Sequence, residues 1–446
     1  MSIENILFND ITLGMNYQRE HLVRSSDFAL FTMLAGSYSC EGIEAAPAIG
    51  VFLFITSACI NSFPGHGAIL KEQALHAHGD VRQGDVLQIA LTVTHKCGQH
   101  NEVILAATCH NQRGELLVSG NVTVTAPTEK CISHYEEVPQ FTLRSPQVFA
   151  KLRQQTDLLP AVVTAVVHPC DRESLLGAMA AAAAKLIVPI LVGPEAKIRA
   201  LAQQENVELG NTRIVDTAHS HDSAALAVAL CRSGEAAALM KGSLHTDEMM
   251  SAVTCSKTGL RTGRRLSHVF VMDVPAYARP LLVTDAAINI APDLAAKVDI
   301  TQNAINLAHI LGIACPKVAI LSAVETVYEK MPSTLDAALL CKMADRGQIT
   351  GALLDGPLAF DNAISMTAAK MKKIVSPVAG QADILVVPDI ESGNMLAKQM
   401  SYFAGADSAG IVLGARVPIV LTSRADDIQT RLASAAVMVL VANAMK

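Results

Sequence analysis

Residues 417–427, "VPIVLTSRADD", bring several chemically useful side chains together directly after an apolar run. Ser423 supplies a hydroxyl and Arg424 a guanidinium. Asp426 and Asp427 add carboxylates at the point where an alanine-rich helix is predicted to begin. Serine or aspartate here would also cap any helix, because their oxygens accept hydrogen bonds from its first N–H groups. An arginine in the first turn, however, opposes the helix dipole and favours an external anion. The segment therefore predicts an anion site beside a carboxylate.

Two further stretches place polar groups at predicted strand ends. In "LLDGPLAFDNAIS", Asp355 ends an apolar run and Asn362 opens the next helix. In "VVPDIESGNMLAK", Asp389 ends a run and Asn394 follows Gly393. Helix capping is the simpler interpretation of these residues, but a glycine in an incipient helix costs about 1 kcal/mol. Gly393 therefore predicts a close approach by a ligand or another backbone segment. We predict that Asp355, Asn362 and Asn394 bind substrate.

Basic residues concentrate between residues 240 and 266. In "LMKGSLHTDEMM", Lys241 and Ser243 flank a glycine and could cradle an anion. In "TGLRTGRRLSH", Arg261, Arg264 and Arg265 form the densest basic cluster of the chain. A solvated charged face is the alternative interpretation of these arginines. We predict substrate-binding roles for Lys241, Ser243, Arg261 and Arg264. Neither GxGxxG nor GxxxxGK[ST] occurs, so the sequence does not support a dinucleotide site or a P-loop.

From about residue 158 onward, short apolar runs such as "AVVTAVVH" and "DILVVPD" alternate with amphipathic helical segments. This alternation is typical of a mainly parallel sheet covered by helices on both faces. The segment is large for one sheet, which favours two lobes sharing a cleft. Ligands of such folds bind beyond the carboxyl ends of strands, where the polar residues described above are predicted to lie.

The first part of the chain has a different rhythm. Residues 1–127 contain three successive strand-like runs, from "DVLQIALTVTHKC" to "ELLVSGNVTVTAP", and one stretch, "AAPAIGVFLFITSACI", that is apolar on all sides. This pattern predicts a buried helix wrapped by a sheet. Residues 128–157 are polar and contain prolines, so we predict a linker there and a second domain over 158–446.

Composition excludes several classes of protein. The 446 residues are 51% hydrophobic and 17% charged, so a large core forms easily and disorder is disfavoured. With a net charge of −6 and scattered basic residues, nucleic-acid binding is not expected. Apolar runs stop short of about 18 residues, so we expect no membrane span. The start, "MSIENILFNDITLG", does not resemble a signal peptide, which predicts a cytoplasmic protein. Ten cysteines without CxxC spacing indicate no zinc site, and Cys255 and Cys341 are predicted to be structural.

The motifs of residues 158–446, from "LMKGSLHTDEMM" to "LGARVPIVLTSRADD", resemble in order those of the phosphate acetyl/butyryltransferase family. That resemblance implies acyl transfer between coenzyme A and phosphate, with coenzyme A as substrate and without a metal or bound cofactor. It implies a two-lobed α/β fold like that of isocitrate and isopropylmalate dehydrogenases, usually found as a homodimer or a larger homo-oligomer. Ser423 and Arg424 match the family's Ser-Arg pair in the active cleft. Asp427 matches its nearby aspartate, with Asp426 as a competitor.

Those residue types suit the reaction. The thiol of coenzyme A has a pKa of about 8.5, so a base such as Asp427 must remove its proton for attack at pH 7. Arg424 can hold the phosphoryl group bidentately. Ser423 can donate a hydrogen bond to the carbonyl oxygen as negative charge develops on it. The sequence predicts direct transfer within a ternary complex.

The N-terminal region, with "DFALFTMLAGS" before an apolar helix and strands, resembles a MaoC-like hot-dog domain. Members of that family hydrate enoyl-CoA thioesters, using an Asp just after a Ser-Gly or Ala-Gly pair and a His about five residues later. Here Ser37 follows Gly36, and no histidine occurs between them and His66. We therefore predict a degenerate domain that serves dimerisation or thioester capture. The alternatives are a bifunctional protein with hydratase activity and a non-enzymatic scaffold that responds to coenzyme A.

Overall fold

The computed structural model describes residues 2–24, 27, 45–46, 49–82, 84–134, 147–422 and 426–445. The chain divides into two compact units, Met1–Leu143 and Arg144–Lys446. The boundary falls within the segment 128–157 that the sequence predicts as a linker. Each unit has its own hydrophobic core.

In the described part of the first unit, an antiparallel sheet of five strands and one α-helix form the core. The helix is α1 (Ile49–Asn61). The strands of this unit are β1 (Ser2–Glu4), β2 (Asn16–Leu22), β3 (Ala45–Ala46), β4 (Ile69–Ala77), β5 (Val81–Arg82), β6 (Val86–Cys97), β7 (Glu102–His110), β8 (Leu116–Thr125) and β9 (Ile132–His134). The sheet has the order β2-β6-β7-β8-β4, while β1 pairs with β9 and β3 with β5.

Alternation along the strands explains how this sheet buries one face. In β7, Val103, Leu105 and Ala107 are fully buried, whereas the residues between them are partly exposed. Helix α1 packs on β4 and β8, so the predicted hot-dog arrangement of a helix against a sheet is confirmed. The helix is not fully buried as predicted, since Ile55 is buried but Leu53 is 50% exposed.

The second unit contains helices and strands in alternation, as predicted. Its helices are α2 (Gln147–Thr156), α3 (Arg172–Ala183), α4 (Glu195–Gln204), α5 (Ser220–Ser233), α6 (Thr246–Thr254), α7 (Leu294–Ile310), α8 (Pro332–Asp345), α9 (Phe360–Ile364), α10 (Met366–Met371), α11 (Ile390–Tyr402) and α12 (Ile428–Ala444). Its strands are β10 (Val162–Val167), β11 (Ile187–Val192), β12 (Arg213–Val215), β13 (Ala238–Lys241), β14 (Ser267–Asp273), β15 (Leu281–Thr284), β16 (Lys317–Leu321), β17 (Leu353–Leu358), β18 (Ile384–Val386), β19 (Asp407–Leu413) and β20 (Ile419–Val420).

One continuous sheet of eleven strands runs through this unit, in the order β12-β11-β10-β13-β20-β19-β14-β15-β18-β16-β17. Strands β12, β11, β10, β13 and β20 are parallel, and so are β15, β18, β16 and β17. Between these groups, β19 and β14 pair antiparallel with their neighbours. Each group is parallel, as the sequence predicts, but the central strands β14 and β19 run antiparallel to their neighbours.

The predicted two lobes exist on one face of the sheet only. On the other face, a single core runs from Val166 of β10 to Ile320 of β16 under α3, α7, α8 and α12. On the two-lobed face, one cluster lies around Val167 and Leu239, and another around Val283 and Leu385. The antiparallel strands β14 and β19 join the two groups into one sheet, which explains why separate sheets do not form.

Part of the predicted linker is folded. Residues 147–156 form helix α2, whose backbone N–H at Val148 donates to Asp273 Oδ2 at 3.0 Å. Leu152 is buried in the large core of the second unit and Phe149 packs against it, so the apolar side chains of this helix explain why it forms. No helix in the described part of the chain is long and apolar enough to cross a membrane.

Candidate active-site cleft

A cleft of about 1080 Å³ lies on the two-lobed face, lined by residues of both core clusters. His268 and Phe270 of β14 belong to it, because they alternate along the strand with Val269 and Val271, which enter the continuous core. The start of α6, helix α11 and the start of α12 also contribute. Lining residues from these elements and the end of β20 include Thr246, Asp247, Asn394, Lys398, Thr422 and Thr430.

The cleft collects acidic side chains. Among the described residues that line it, Lys398 is the only lysine or arginine. The acids of the lining are Asp247, Glu391, Asp407, Asp426 and Asp427. A phosphoryl group in this cleft therefore requires positive charge beyond that of Lys398.

Asp427 is the N-cap of α12, and it also lines the cleft. Its Oδ1 accepts a hydrogen bond from the Thr430 backbone N–H at 2.8 Å. The residue is exposed, and Asp426 beside it is half-buried. Asp426 and Asp427, the two predicted candidates for the base, therefore both line the cleft. Asp427 is a helix cap and a cleft residue at the same time.

Ser423 and Arg424, the other two predicted catalytic residues, lie outside the described residues. The residues on either side of that segment, Thr422 and Asp426, both line the cleft.

Arg431 is a residue that the sequence analysis missed. Its side chain is buried in the first turn of α12, with 7% exposure. Nη1 donates to the Thr422 hydroxyl at 2.9 Å and Nε donates to the Asp426 carbonyl at 3.2 Å. Its spacing of four residues from Asp427 places both on one helix face, and this spacing could have drawn attention to it.

Asn394, predicted to bind substrate, also lines the cleft. Its Nδ2 donates to the Ala286 carbonyl at 3.2 Å, which joins α11 to the segment after β15. The neighbouring Gly393 is needed for close packing, since a Cβ there would lie 2.7 Å from Val387 Cγ2 and 3.0 Å from the Asp285 carbonyl oxygen. The sequence predicted that either a ligand or another backbone segment lies close to Gly393. In the structure it is a backbone segment, the one after β15.

The predicted Lys241–Ser243 cradle is occupied by the protein itself. Lys241 is buried at the end of β13. The Ser243 hydroxyl donates to the His168 carbonyl at 2.8 Å and accepts from the Cys170 N–H at 3.1 Å. These bonds tie the segments after β13 and β10 together. Neither Lys241 nor Ser243 is among the residues that line the cleft.

The arginine cluster is also separate from the cleft lining. Arg261 and Arg264 are exposed, as the solvated-face interpretation expects. Arg265 donates through Nε to Asn289 Oδ1 at 2.7 Å. None of the three is among the residues lining the cleft, so the structure does not bring the cluster together with Asp427.

Asp355 and Asn362 lie on and just after β17, the edge strand of the sheet. This strand is four positions from β14 in the sheet, which corresponds to roughly 19 Å at the usual strand spacing. Asp355 accepts from its neighbour Gly356, and buried Asn362 donates to Glu325 at 3.5 Å. The structure does not bring them to the cleft, because the candidate site spans the central mixed strands.

His268 is a second residue that the sequence analysis missed. It is 1% exposed and its ring contacts Phe270 edge-on, with 4.4 Å between ring centroids. Burial lowers the pKa of His268 to about 4, although the Asp285 carboxylate opposes that shift. The imidazole is therefore neutral at pH 7. Its sequence context, an apolar strand, contains no motif that marks it.

The two cysteines predicted as structural differ from each other. Burial raises the pKa of Cys341 to about 12, which fits a structural role. Cys255, at the end of α6, is half-buried and accepts a hydrogen bond from the Thr258 hydroxyl at 3.1 Å. That bond, with backbone N–H groups of Thr258 and Lys257, lowers the pKa of Cys255 to about 7. Its thiol is therefore more acidic than the expectation for a structural cysteine.

Comparison with known proteins identifies the second unit. Residues 217–439 match the family model described as phosphate acetyl/butaryl transferase. The chain is 65% identical over 280 residues to a phosphate acetyltransferase of Rhizobium meliloti, covering 63% of this chain and 89% of that protein. It is 41% identical over 294 residues to a phosphate butyryltransferase of Clostridium beijerinckii, covering 66% and 97%.

A solved structure agrees with these matches. The branched-chain phosphotransacylase of Enterococcus faecalis V583 superimposes with a TM-score of 0.55 at 30% identity, covering 63% of this chain and 99% of that one. The second unit therefore has the fold of a phosphotransacylase. The chain belongs to the phosphate acetyl/butyryl transferase family.

Proposed function

We propose that the protein is a phosphate acyltransferase, which interconverts acyl-CoA plus phosphate with acyl phosphate plus coenzyme A. Family membership carries this proposal, since relatives that share 41% to 65% identity are named for acetyl or butyryl transfer to phosphate. The lining of the cleft supports the proposal as well. Asp426 and Asp427 line the cleft, and in the sequence they come shortly after the Ser-Arg pair of the family motif.

In the proposed mechanism, Asp427 removes the proton of the coenzyme A thiol. Its Oδ1 is held by the Thr430 N–H, and in the described part of the chain no hydrogen bond engages Oδ2. The thiolate attacks the carbonyl carbon of the acyl phosphate, a C–S bond forms, and the C–O bond to phosphate breaks. Base catalysis of this kind contributes about 10² to 10⁴ in rate.

Arg424 is proposed to clamp the phosphoryl group, and Ser423 to donate to the carbonyl oxygen during attack. The acidic character of the described cleft lining supports this assignment, since Lys398 is the only cation there. An arginine between Thr422 and Asp426 would supply the missing positive charge, in a form suited to bidentate binding of phosphate.

Direct transfer requires both substrates at once. The cleft volume of about 1080 Å³ is slightly larger than the usual range for small-molecule sites, about 300–1,000 Å³. The volume supports simultaneous binding of acyl phosphate and the thiol end of coenzyme A, and we propose direct transfer between them. We propose that no metal or bound cofactor takes part.

Phosphate-dependent release of thiol from a panel of short acyl-CoAs tests this function. We expect release with phosphate alone, without added metal and in the presence of a chelator. Loss of all activity with the chelator, restored by a divalent ion, would contradict the metal-free mechanism. No thiol release from any member of the panel would contradict the function itself and favour the non-enzymatic scaffold.

The first unit is proposed to be a degenerate hot-dog domain that serves oligomerisation or thioester capture. The segment containing Gly36 and Ser37, where the hydratase motif departs from its family pattern, lies outside the described residues. Incubation of the full-length protein with crotonyl-CoA tests the hydratase alternative, and we expect no loss of absorbance from the enoyl thioester. A homodimer or larger homo-oligomer, to be measured by light scattering, and a cytoplasmic location stay predictions.

A further inference from the structure

A second cavity adjoins the cleft at the start of helix α12. It has a volume of about 430 Å³ and is lined by residues of α12 and α2. Four residues line both this cavity and the cleft, namely Asp407, Ser408, Asp427 and Thr430. Asp427, the proposed base, therefore lies where the two cavities meet.

Away from the shared residues, the second cavity is mainly apolar, and we call it the α12 groove. Its apolar lining residues are Phe149, Ala150, Leu186, Leu432, Ala433 and Ala436. The polar ones are Arg153 and Gln429, which are both exposed. Long polar side chains commonly keep their ends in water while their stems cover apolar surface. Such a lining favours a hydrocarbon ligand, because a charged group would lose its hydration there without gaining a partner.

The length of the α12 groove limits the size of such a ligand. Its lining runs along the helix from Asp427 to Ala436, which is about 14 Å at a rise of about 1.5 Å per residue. An extended carbon chain advances about 1.25 Å per bond, given a C–C bond length of about 1.5 Å. The volume of about 430 Å³ is roughly 14 times the share of one water molecule in the liquid, about 30 Å³. Both measures leave room for a chain of about eight carbons.

The proposed reaction brings one wholly apolar group to Asp427. The thiol of coenzyme A must reach this carboxylate to lose its proton, and the carbonyl carbon of the acyl group must lie beside the thiol for attack. The phosphoryl group is charged and is assigned to Arg424. The remaining group, the acyl chain, starts at the carbonyl carbon and therefore begins next to Asp427, where the α12 groove opens.

We propose that the α12 groove is an acyl-chain subsite, which takes straight acyl chains of about six to eight carbons with the carbonyl end at Asp427. The inference rests on the proposed function, and it names medium-chain acyl groups as the substrate class. Ala150 and Ala433 are assigned as specificity-determining residues, because their small side chains line the groove and larger ones would fill it.

The dependence of kcat/KM on acyl length tests the subsite. Phosphate-dependent thiol release by the full-length protein is measured with acetyl-CoA, butyryl-CoA and hexanoyl-CoA. Complete burial of one methylene group corresponds to about a fourfold gain. Exposed lining residues such as Ala150 and Gln429 leave the groove open on one side, so we expect about half that burial and about a twofold gain per methylene. Hexanoyl-CoA should therefore exceed acetyl-CoA in kcat/KM by about 16-fold.

Two alanine-to-leucine substitutions fill the groove from opposite sides. Ala433→Leu acts from α12 and Ala150→Leu from α2, and we expect each to lower the ratio of kcat/KM for hexanoyl-CoA to that for acetyl-CoA about tenfold. Should buried Ala433→Leu fail to fold, as judged by circular dichroism, Ala150→Leu gives the test, because Ala150 is exposed and surface substitutions rarely unfold a protein. Ala200→Leu is the matched control and should keep the wild-type ratio, since Ala200 is an exposed alanine of α4 that lines neither cavity.

Three results would overturn the inference. The first is a kcat/KM that does not rise from acetyl-CoA to hexanoyl-CoA, and the second is a wild-type ratio in the folded variants. The third is a higher KM for coenzyme A in Ala150→Leu at an unchanged ratio, which would assign the groove to the pantetheine arm. In each case thiol is still released, so the proposed function stands. No thiol release from any acyl-CoA, acetyl-CoA included, would contradict the proposed function itself.

Discussion

The Arg431 guanidinium donates a hydrogen bond to the Thr422 hydroxyl at 2.9 Å, across the short segment that carries Ser423 and Arg424. Through Nε the same side chain reaches the Asp426 carbonyl. One buried arginine therefore binds both residues that border this segment. A Cβ at Gly177 of α3 would lie 2.5 Å from Arg431 Cδ, so the arginine stem is also closely packed.

This arrangement predicts that Arg431→Lys destabilises the protein. Lysine keeps the charge but loses the planar fork that reaches two acceptors, and it leaves a buried ammonium with poorer partners. We expect the free energy of unfolding of the second unit to fall by about 2 kcal/mol, measured by urea denaturation. Thr422→Val removes one of the bonds described above and should cost about half as much. Wild-type stability in Arg431→Lys would contradict this role.

The position of Arg424 in the sequence predicts a different result for Arg424→Lys. If Arg424 clamps the phosphoryl group, the lysine variant retains the charge and loses bidentate binding. We expect the KM for phosphate and for acyl phosphate to rise about tenfold. A lower kcat should accompany this change if the clamp tightens in the transition state. The KM for coenzyme A should change little, and a selective rise in that constant would contradict the assignment.

Cys255 is predicted to react with alkylating agents near neutral pH. Hydrogen bonds from Thr258 and Lys257 lower its pKa to about 7, so about half of the thiol is thiolate at pH 7. The rate of iodoacetamide labelling, followed by mass spectrometry, should fall about tenfold for each pH unit below that value. Cys341, whose pKa is raised by burial, is the internal comparison and should stay unlabelled. Thr258→Val should raise the pKa of Cys255 and slow its labelling at pH 7.

Periodicity and apolar runs predicted much of the fold. The run that leads to Asp355 and the run that leads to Thr422 were both predicted as buried strands, and both are strands of the sheet. Which strands are neighbours could not be predicted, because strand order depends on contacts between segments far apart in sequence. Asp355 and Asn362 were therefore grouped with Asp427, although β17 is at the edge of the sheet.

For single residues of the site, too, contacts between distant segments could not be predicted from the sequence. Asp427 and Asn394 were recognised because helix starts after apolar runs have sequence signatures. His268 and Arg431 were missed, since an isolated histidine in a strand and an arginine in a helix are usually packed or solvated residues. Only the structure shows that His268 Nδ1 has no hydrogen-bond partner among the described residues and that Arg431 bridges Thr422 and Asp426.

If Asp427 is both the N-cap of α12 and the catalytic base, Asp427→Asn and Asp427→Ala should differ in stability but show a similar loss of kcat. Asparagine is as good an N-cap as aspartate, so Asp427→Asn should keep the bond to the Thr430 N–H and the stability of the protein. Asp427→Ala should lose about 1 kcal/mol of stability with the cap. Both variants lose the base, so kcat should fall by about 10² to 10⁴ in both.

The pH dependence of that loss distinguishes a base from a cap. The thiolate fraction of coenzyme A rises about tenfold per pH unit up to the thiol pKa of about 8.5, so the defect of Asp427→Asn should shrink as pH rises toward that value. Asp426→Asn is the control and should stay close to wild type at every pH. A large, pH-sensitive defect in Asp426→Asn with an active Asp427→Asn would place the base one residue earlier. Full activity of both variants across pH would leave Asp427 a helix cap alone, and the thiol would require another base.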